Sequence, residues 1–391
     1  MKKILLTLSV LLFYLISSSQ EEKTKNFTFT GYLSQMNQTI IDSINGNWIN
    51  DGLIHNRLMF QYYGINNLTF DIEARNRLIY GESVKFTPNY AAYFEKDNGI
   101  LDLTANIANG NSYILNTTID RLYLQYELGN FVVTAGRQRI NWGKTFVWNP
   151  NDLFNNYSFF DFDYAEKPGA DAIDLQYFIN YASSIEVAAK INSDSNLTTA
   201  IKYGFNLKQY DFQTIIGYLD DEDFVAGGGW TGNIKNVTFR GEFSYVQPKK
   251  NFLDTSGLFI ASIGFDYMFS NSLTIMGEYL YNQNEPTFNL SNLFQIQDAP
   301  MNIKSLSFAK HNAVLQVSYP VNPIINVSAA AMWMSKDNWM FFSPNVDFAI
   351  SQNMNFTFVG QFFYGKMLNP LTMAKEQKLL SLIFFRLKYS F

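Results

Sequence analysis

Six of the chain's eight arginines fall in one stretch: Arg57, Arg75, Arg77, Arg121, Arg137 and Arg139. A guanidinium stays charged and can grip a carboxylate or phosphate through two parallel hydrogen bonds. Alternation of apolar and polar residues puts all six on polar faces. Arg57 shares its face with Gln61, opposite Leu58 and Phe60. Arg75 and Arg77 share theirs with Asp71 and Glu73, and Arg121 shares its face with Glu127. Arg137 and Arg139 are read opposite Ile140 and Trp142. If these segments are successive strands of a closed wall, the arginines line one side of a lumen, where such charges set the ion selectivity of a pore. The carboxylates Asp71, Glu73 and Glu127 on the same faces allow a second reading, a wall braced by its own ion pairs. The two are compatible.

The last two of these arginines run into the most unusual connection in the chain, from Asn141 to Gly169. Long connections without secondary structure are uncommon and usually functional. Trp142, Trp148, Phe154 and Phe160 make this one too apolar for a loop that only meets water. Folded into a lumen as a constriction, it would bury these rings and bring Asp152, Asp161 and Asp163 towards the arginines. Aromatic rings at such a place also stack on sugars or other flat faces. The alternative is an outer loop packed on the rim. Gly136-Arg137-Gln138, Asn141-Trp142-Gly143 and Asn149-Pro150 with Asp152 together resemble a segment of outer-membrane porin-like barrels, the loosely related alginate-exporter and substrate-specific porin group. The resemblance covers residues 136–171 only. It implies a strand feeding a loop near the pore and a lumen that passes anionic sugars or other small solutes.

Other chemistry finds little support. There are two histidines, His55 and His311, each expected near the outer end of a strand, and no serine-hydrolase elbow, zinc signature or phosphate loop. Without Cys, thiolate metal sites and disulfides are excluded. No enzyme activity, metal or cofactor is expected. The formal charge is −5, or −7 once Lys2 and Lys3 leave with a signal segment, which argues against nucleic acid as a partner.

The elements that must position these residues are strands. Residues 1–19 read as a secretory signal, with Lys2-Lys3 before an apolar run and Ser17-Ser18-Ser19 before the cleavage site. Residues 20–391 read as one domain. It is rich in aromatics (17%) and poor in charge (16%), and after the signal no apolar run approaches the length of a membrane-spanning helix. A chain of this composition crosses a bilayer as a closed barrel. Alternating segments recur throughout, as in Leu122, Leu124, Tyr126 and Leu128 against Tyr123, Gln125 and Glu127. Short links such as Gly129-Asn130 alternate with long ones, the pattern of periplasmic turns and outer loops.

The expected fold is all-β: a transmembrane antiparallel up-and-down barrel of about 18 strands, with about 16 as the alternative. Walking up and down with both ends in the periplasm assigns Leu101 to Ala108 to an outer loop rather than to the ring. The chain stops on an amphipathic strand in which Phe385, Leu387, Tyr389 and Phe391 form one face. This resembles the signal read by the barrel-assembly machinery. The Gly227-Gly228-Gly229 run reads as a bulge or bend in a strand. The reading is therefore an outer-membrane channel for small polar or anionic solutes, surrounded by outer-membrane lipid. Alternatives are a channel for an anionic polysaccharide and a non-conducting structural barrel. No surface pattern identifies a homo-oligomer interface.

Overall fold

The computed structural model describes residues 26–42, 48–155, 166–252, 254–285, 302–368 and 374–391. The signal segment and three expected constriction residues, Phe160, Asp161 and Asp163, lie outside the described residues. In chain order the strands begin with β1 (Phe27–Asp42), β2 (Trp48–Ile65), β3 (Leu68–Gly81), β4 (Thr104–Gly110), β5 (Tyr113–Leu128) and β6 (Phe131–Gln138). There follow β7 (Ala170–Asn180), β8 (Ser183–Ile191), β9 (Leu197–Leu207), β10 (Tyr210–Leu219), β11 (Asp223–Ile234) and β12 (Val237–Pro248). The last are β13 (Leu258–Met268), β14 (Thr274–Asn282), β15 (His311–Asn322), β16 (Ile325–Met334), β17 (Trp339–Ser351), β18 (Met354–Leu368) and β19 (Lys375–Ser390). Short helices α1 (Glu82–Phe86) and α2 (Tyr90–Tyr93) precede β4.

All strands belong to one antiparallel sheet, and β1 pairs with both β2 and β19, so the sheet closes. β4 pairs only with β5, while β3 pairs directly with β5. The ring therefore counts 18 strands, and residues 104–110 add a short strand to the wall, paired with β5 above β6, from within the long connection between β3 and β5. The count is as expected, but residues 104–108, expected as outer loop, are part of a strand, because β6 stops short and leaves the edge of β5 open for pairing.

The alternating sequence explains the two faces. Along one rung, Leu124, Ala135 and Ile173 pair across β5, β6 and β7 and point outwards. Along the next, Gln125, Thr134 and Asp174 pair and point into the lumen. Leu124, Ile173, Ile201, Ile216, Phe265 and Leu315 stay exposed on the outside, a surface that hydrocarbon stabilises and water does not. At one end the connections are tight: 66–67, 129–130, 181–182, 208–209, 235–236, 323–324 and 352–353. At the 208–209 turn, Lys208 and Gln209 both have positive φ, as a primed hairpin turn requires. The longest connections, 82–112, 139–169 and 283–310, all leave the other end.

One part of the wall is built in two pieces. β6 stops at Gln138, having paired with residues 122–128 of β5. Above it, β4 pairs with residues 113–118 of β5 and fills the space that β6 vacates. Gly99 then bridges to Asn192, between β8 and β9. The register between β3 and β5 slips at Asp120, an extra residue in β5. This bulge turns Asp120 and Arg121 to the same side, and both are buried.

Candidate functional site

The arginine side of the lumen is built from β2, β3 and β5. Cross-strand register places Arg57 opposite Arg75, His55 opposite Arg77 and Glu73 opposite Arg121. Two guanidinium groups face to face would repel, but the first is clamped. Arg57, 0% exposed, donates to Glu73 at 2.5 and 3.0 Å and to Asp120 at 2.5 Å. The β5 bulge delivers the second of these carboxylates. Arg121 donates to the backbone oxygens of Asp120, Glu166 and Lys167 and so ties the returning end of the inserted segment to this wall. Arg75 donates to His55 at 3.3 Å, and Arg77 donates to Asn116 at 2.7 Å while lying over the ring of Phe94. Most of this wall is thus engaged internally, the braced arrangement.

One expected pore-lining residue has the opposite register, and another shares the lumen face but lies far from the arginines. The two-residue turn at 129–130 pairs Leu128 with Phe131, so the lumen face passes from odd positions in β5 to even positions in β6. Arg137 consequently shares the outward register face with Leu122 and Ile173. There Asp171 and Asp97 hold it at 2.6 and 2.7 Å, and it also donates to the carbonyl of Leu101 at 2.6 Å. It fastens the 97–101 segment over the break between β6 and β4. Contact with Arg137 holds the Asp97 carboxyl below its ordinary range, against the opposing effect of burial. Glu127 sits exposed at the tight-turn end, accepting from Gln125 at 3.1 Å, away from the arginine cluster. Arg139 lies one residue beyond β6, within electrostatic reach of Asp152 and Lys167.

From Arg139 the chain enters the barrel, as expected, and runs along the far wall. Trp142 donates its indole N–H to Glu186 of β8 at 2.5 Å and accepts from Gln213 of β10 at 2.6 Å. The backbone N–H groups of Lys144 and Thr145 and the Thr145 hydroxyl donate to Glu242 of β12. Glu278 of β14 accepts the N–H groups of Phe146, Val147 and Trp148 at 2.8, 3.0 and 2.8 Å, and the Ser262 hydroxyl at 2.9 Å. The segment then doubles back. Ser244 donates to the carbonyl of Pro150, Asn151 donates to that of Gly228, and Lys190 of β8 donates to that of Phe154.

Packing secures the same path. Trp142, Trp148, Leu153 and Phe154 are almost wholly buried against Ala188, Ala200, Ile215, Val225, Val246, Ile260 and Leu280 on the lumen face of β8 to β14. Each ring of this size contributes roughly 2–3 kcal/mol on burial. Gly227 and Gly229 lie in unbroken register with both neighbouring strands, so the run is not a bulge. A Cβ on Gly227 would stand 2.7 Å from the Asn151 side chain; glycine there admits the inserted segment against the wall.

The buried rings are consequently unavailable for stacking on a solute. Among the described residues of the segment, the Phe146 ring, at its far reach, is the exception at 38% exposed. Asp152 is enclosed, with one hydrogen bond from Asn155 at 3.1 Å, and burial pushes its carboxyl up to about 6. Sequence reasoning missed the carboxylates that hold the segment: Glu186, Glu242 and Glu278. Their signal was a lone acid on the lumen face of its strand, beside Lys190 in β8 and Arg240 in β12. His55 is enclosed beside Tyr32 and Arg75, and His311 contacts Tyr279 on the outer face, so neither stands as a general base in the lumen.

No protein-family model matches the chain, and no curated protein matches it. Solved structures do. OccAB1 from Acinetobacter baumannii aligns at TM-score 0.59 and 9% identity, covering 96% of this chain and 100% of that one. OccK11 (OpdR) from Pseudomonas aeruginosa aligns at 0.58 and 7%, covering 93% and 95%. The outer membrane protein OprD from Pseudomonas aeruginosa aligns at 0.56 and 8%, covering 94% of each chain. These likenesses support the porin half of the resemblance read from residues 136–171 and not the alginate-exporter half. At such identities they establish a fold: the chain is a closed, antiparallel, 18-stranded β-barrel of the kind seen in the Occ/OprD outer-membrane porins.

Proposed function

We propose that this protein is an outer-membrane channel through which small polar solutes pass passively, with the segment beginning at Arg139 as its constriction. The observation that carries the reading is the attachment of residues 140–155 to the lumen wall by Glu186, Glu242 and Glu278, which fixes a narrowing inside a closed barrel. The apolar exterior supports a barrel surrounded by lipid, and the tight turns are read as periplasmic and the long connections as external. Residues 1–19 direct export, and Phe385, Leu387, Tyr389 and Phe391 address the last strand to the assembly machinery. Anionic solutes would meet an arginine wall already engaged by Glu73 and Asp120, so selectivity for anions is modest. The role is transport, not catalysis.

Planar-bilayer recording of the refolded protein tests this. Stable open channels with weak anion preference are expected. A folded barrel that remains silent would favour the non-conducting structural role. Block by long anionic oligosaccharides alone would favour a polysaccharide channel.

A further inference from the structure

Among the described aromatic residues of the inserted segment, Phe146 is the one that its anchoring leaves open. Its backbone is fixed by Glu278, yet its ring is more than a third exposed, whereas Trp142 and Trp148 are 2% and 1% exposed. The Arg240 guanidinium lies against the ring, 3.7 Å from its centroid. Arg240 is held in turn by Asp266 at 2.6 Å and by the carbonyl of Lys144 at 3.4 Å. Arg240 and Asp266 belong to β12 and β13 on the lumen face, and the residue paired with Arg240 between them and Glu278 is Gly264. A Cβ at Gly264 would make only ordinary contacts, at 3.4 Å from the Gly277 carbonyl and 3.5 Å from the Arg240 side chain, so no side chain stands between Arg240 and Glu278 there.

We infer that Phe146, Arg240 and Asp266 form a binding subsite for the ring of a neutral sugar. The inference rests on the channel reading above and narrows it. An aromatic face held in place by a cation on one side offers the other to a flat, C–H-lined surface. The adjacent ion pair carries no net charge, yet it presents donors and acceptors together, as vicinal hydroxyl groups need and a carboxylate does not. A solute ring resting on the face of Phe146 away from Arg240 can reach past the edge of the ring with its hydroxyls to the Arg240–Asp266 pair.

Ion-current recordings of the full-length channel with glucose or with sorbitol provide the test, since sorbitol has similar hydroxyl groups but no ring face. Glucose should reduce current or lengthen blockades more than sorbitol, and Phe146→Ala should weaken the glucose effect about twofold to tenfold. Phe146→Trp should retain it, and Asp266→Asn should weaken glucose while strengthening block by small anions. Equal effects of the two polyols, an unchanged glucose effect in Phe146→Ala, or block by benzoate without block by glucose would overturn the assignment. A barrel that opens no channel at all would instead refute the transport reading on which it stands.

Discussion

Arg57 and Arg75 stand directly opposite each other in the β2–β3 ladder, both on the lumen face. Two cations in that position are tolerable because Glu73 and Asp120 enclose the first, and Asp120 reaches it only through the bulge in β5. Catalysis or ligand binding need not be invoked for the acids of this wall; they neutralise it.

Removing one of those acids should therefore destabilise the barrel more than removing an exposed ion pair would. Asp120→Asn leaves the enclosed Arg57 guanidinium with one carboxylate at hydrogen-bond distance and is expected to cost about 3 kcal/mol, the scale for breaking a buried pair. Lys375→Gln, which breaks the exposed pair with Asp337, should cost less than about 1 kcal/mol. Urea-unfolding midpoints in detergent compare the two. Equal midpoints would mean that water reaches Arg57 and replaces the lost charge.

Glu278 should prove the principal anchor of the constriction. Its two oxygens accept three backbone N–H groups and one hydroxyl, bonds that are charge-assisted and contribute roughly 1.5–3 kcal/mol each before desolvation is set against them. Glu278→Gln keeps the shape but turns one acceptor into a donor aimed at N–H groups. Open-channel noise should rise and mean conductance increase as residues 144–148 leave the wall. Unchanged current traces would show that the rings of Trp142 and Trp148 suffice.

Much of this was legible in the sequence. Alternation, the closing aromatic strand and the spacing of links led to 18 strands because each reports backbone geometry that side chains on one strand already impose. The inward path of residues 140–155 was also legible, since Trp142, Trp148 and Phe154 have no stable place in water. What escaped was where parity changes. Arg137 was assigned to the lumen, although the two-residue turn at Gly129-Asn130 inverts odd and even positions across the hairpin. The anchors escaped for a different reason. Glu186, Glu242 and Glu278 are distant in sequence from the segment they hold, and only the curvature of the closed sheet brings them to it.

The inserted segment should loosen as pH rises through about 6. Burial raises the Asp152 carboxyl to about 6, above its ordinary value of 3.8. A carboxyl raised in the folded state favours the protonated form, so the stabilisation is complete below the ordinary value and is lost as pH climbs through the folded one. The penalty for the ionised form is roughly 2–3 kcal/mol. Channel noise should therefore be greater at pH 7.5 than at pH 5, and Asp152→Asn should abolish most of that difference. A noise difference that survives the substitution would assign the dependence to another group.

The seam between β1 and β19 ends in one crowded contact. Gly31 and Phe391 exchange both backbone hydrogen bonds at 3.0 Å, and the Phe391 ring lies over the glycine. A Cβ on Gly31 would stand 2.4 Å from the backbone oxygen of Arg57 and 2.9 Å from that ring. The ring can rotate aside, but the oxygen belongs to the β1–β2 ladder and cannot move without breaking it. Gly31→Val should therefore lower the yield of folded, heat-modifiable barrel several-fold, on the order of a 1–3 kcal/mol overpacking cost. Leu33→Ala, two residues along on the same outward face, should leave the yield nearly unchanged. In refolding into detergent, without the assembly machinery, trimming Phe391 together with Gly31→Val separates the two obstacles. Recovery of folding in the double variant would place the clash at the ring, whereas continued failure would place it at the Arg57 carbonyl, where the geometry puts the tighter contact.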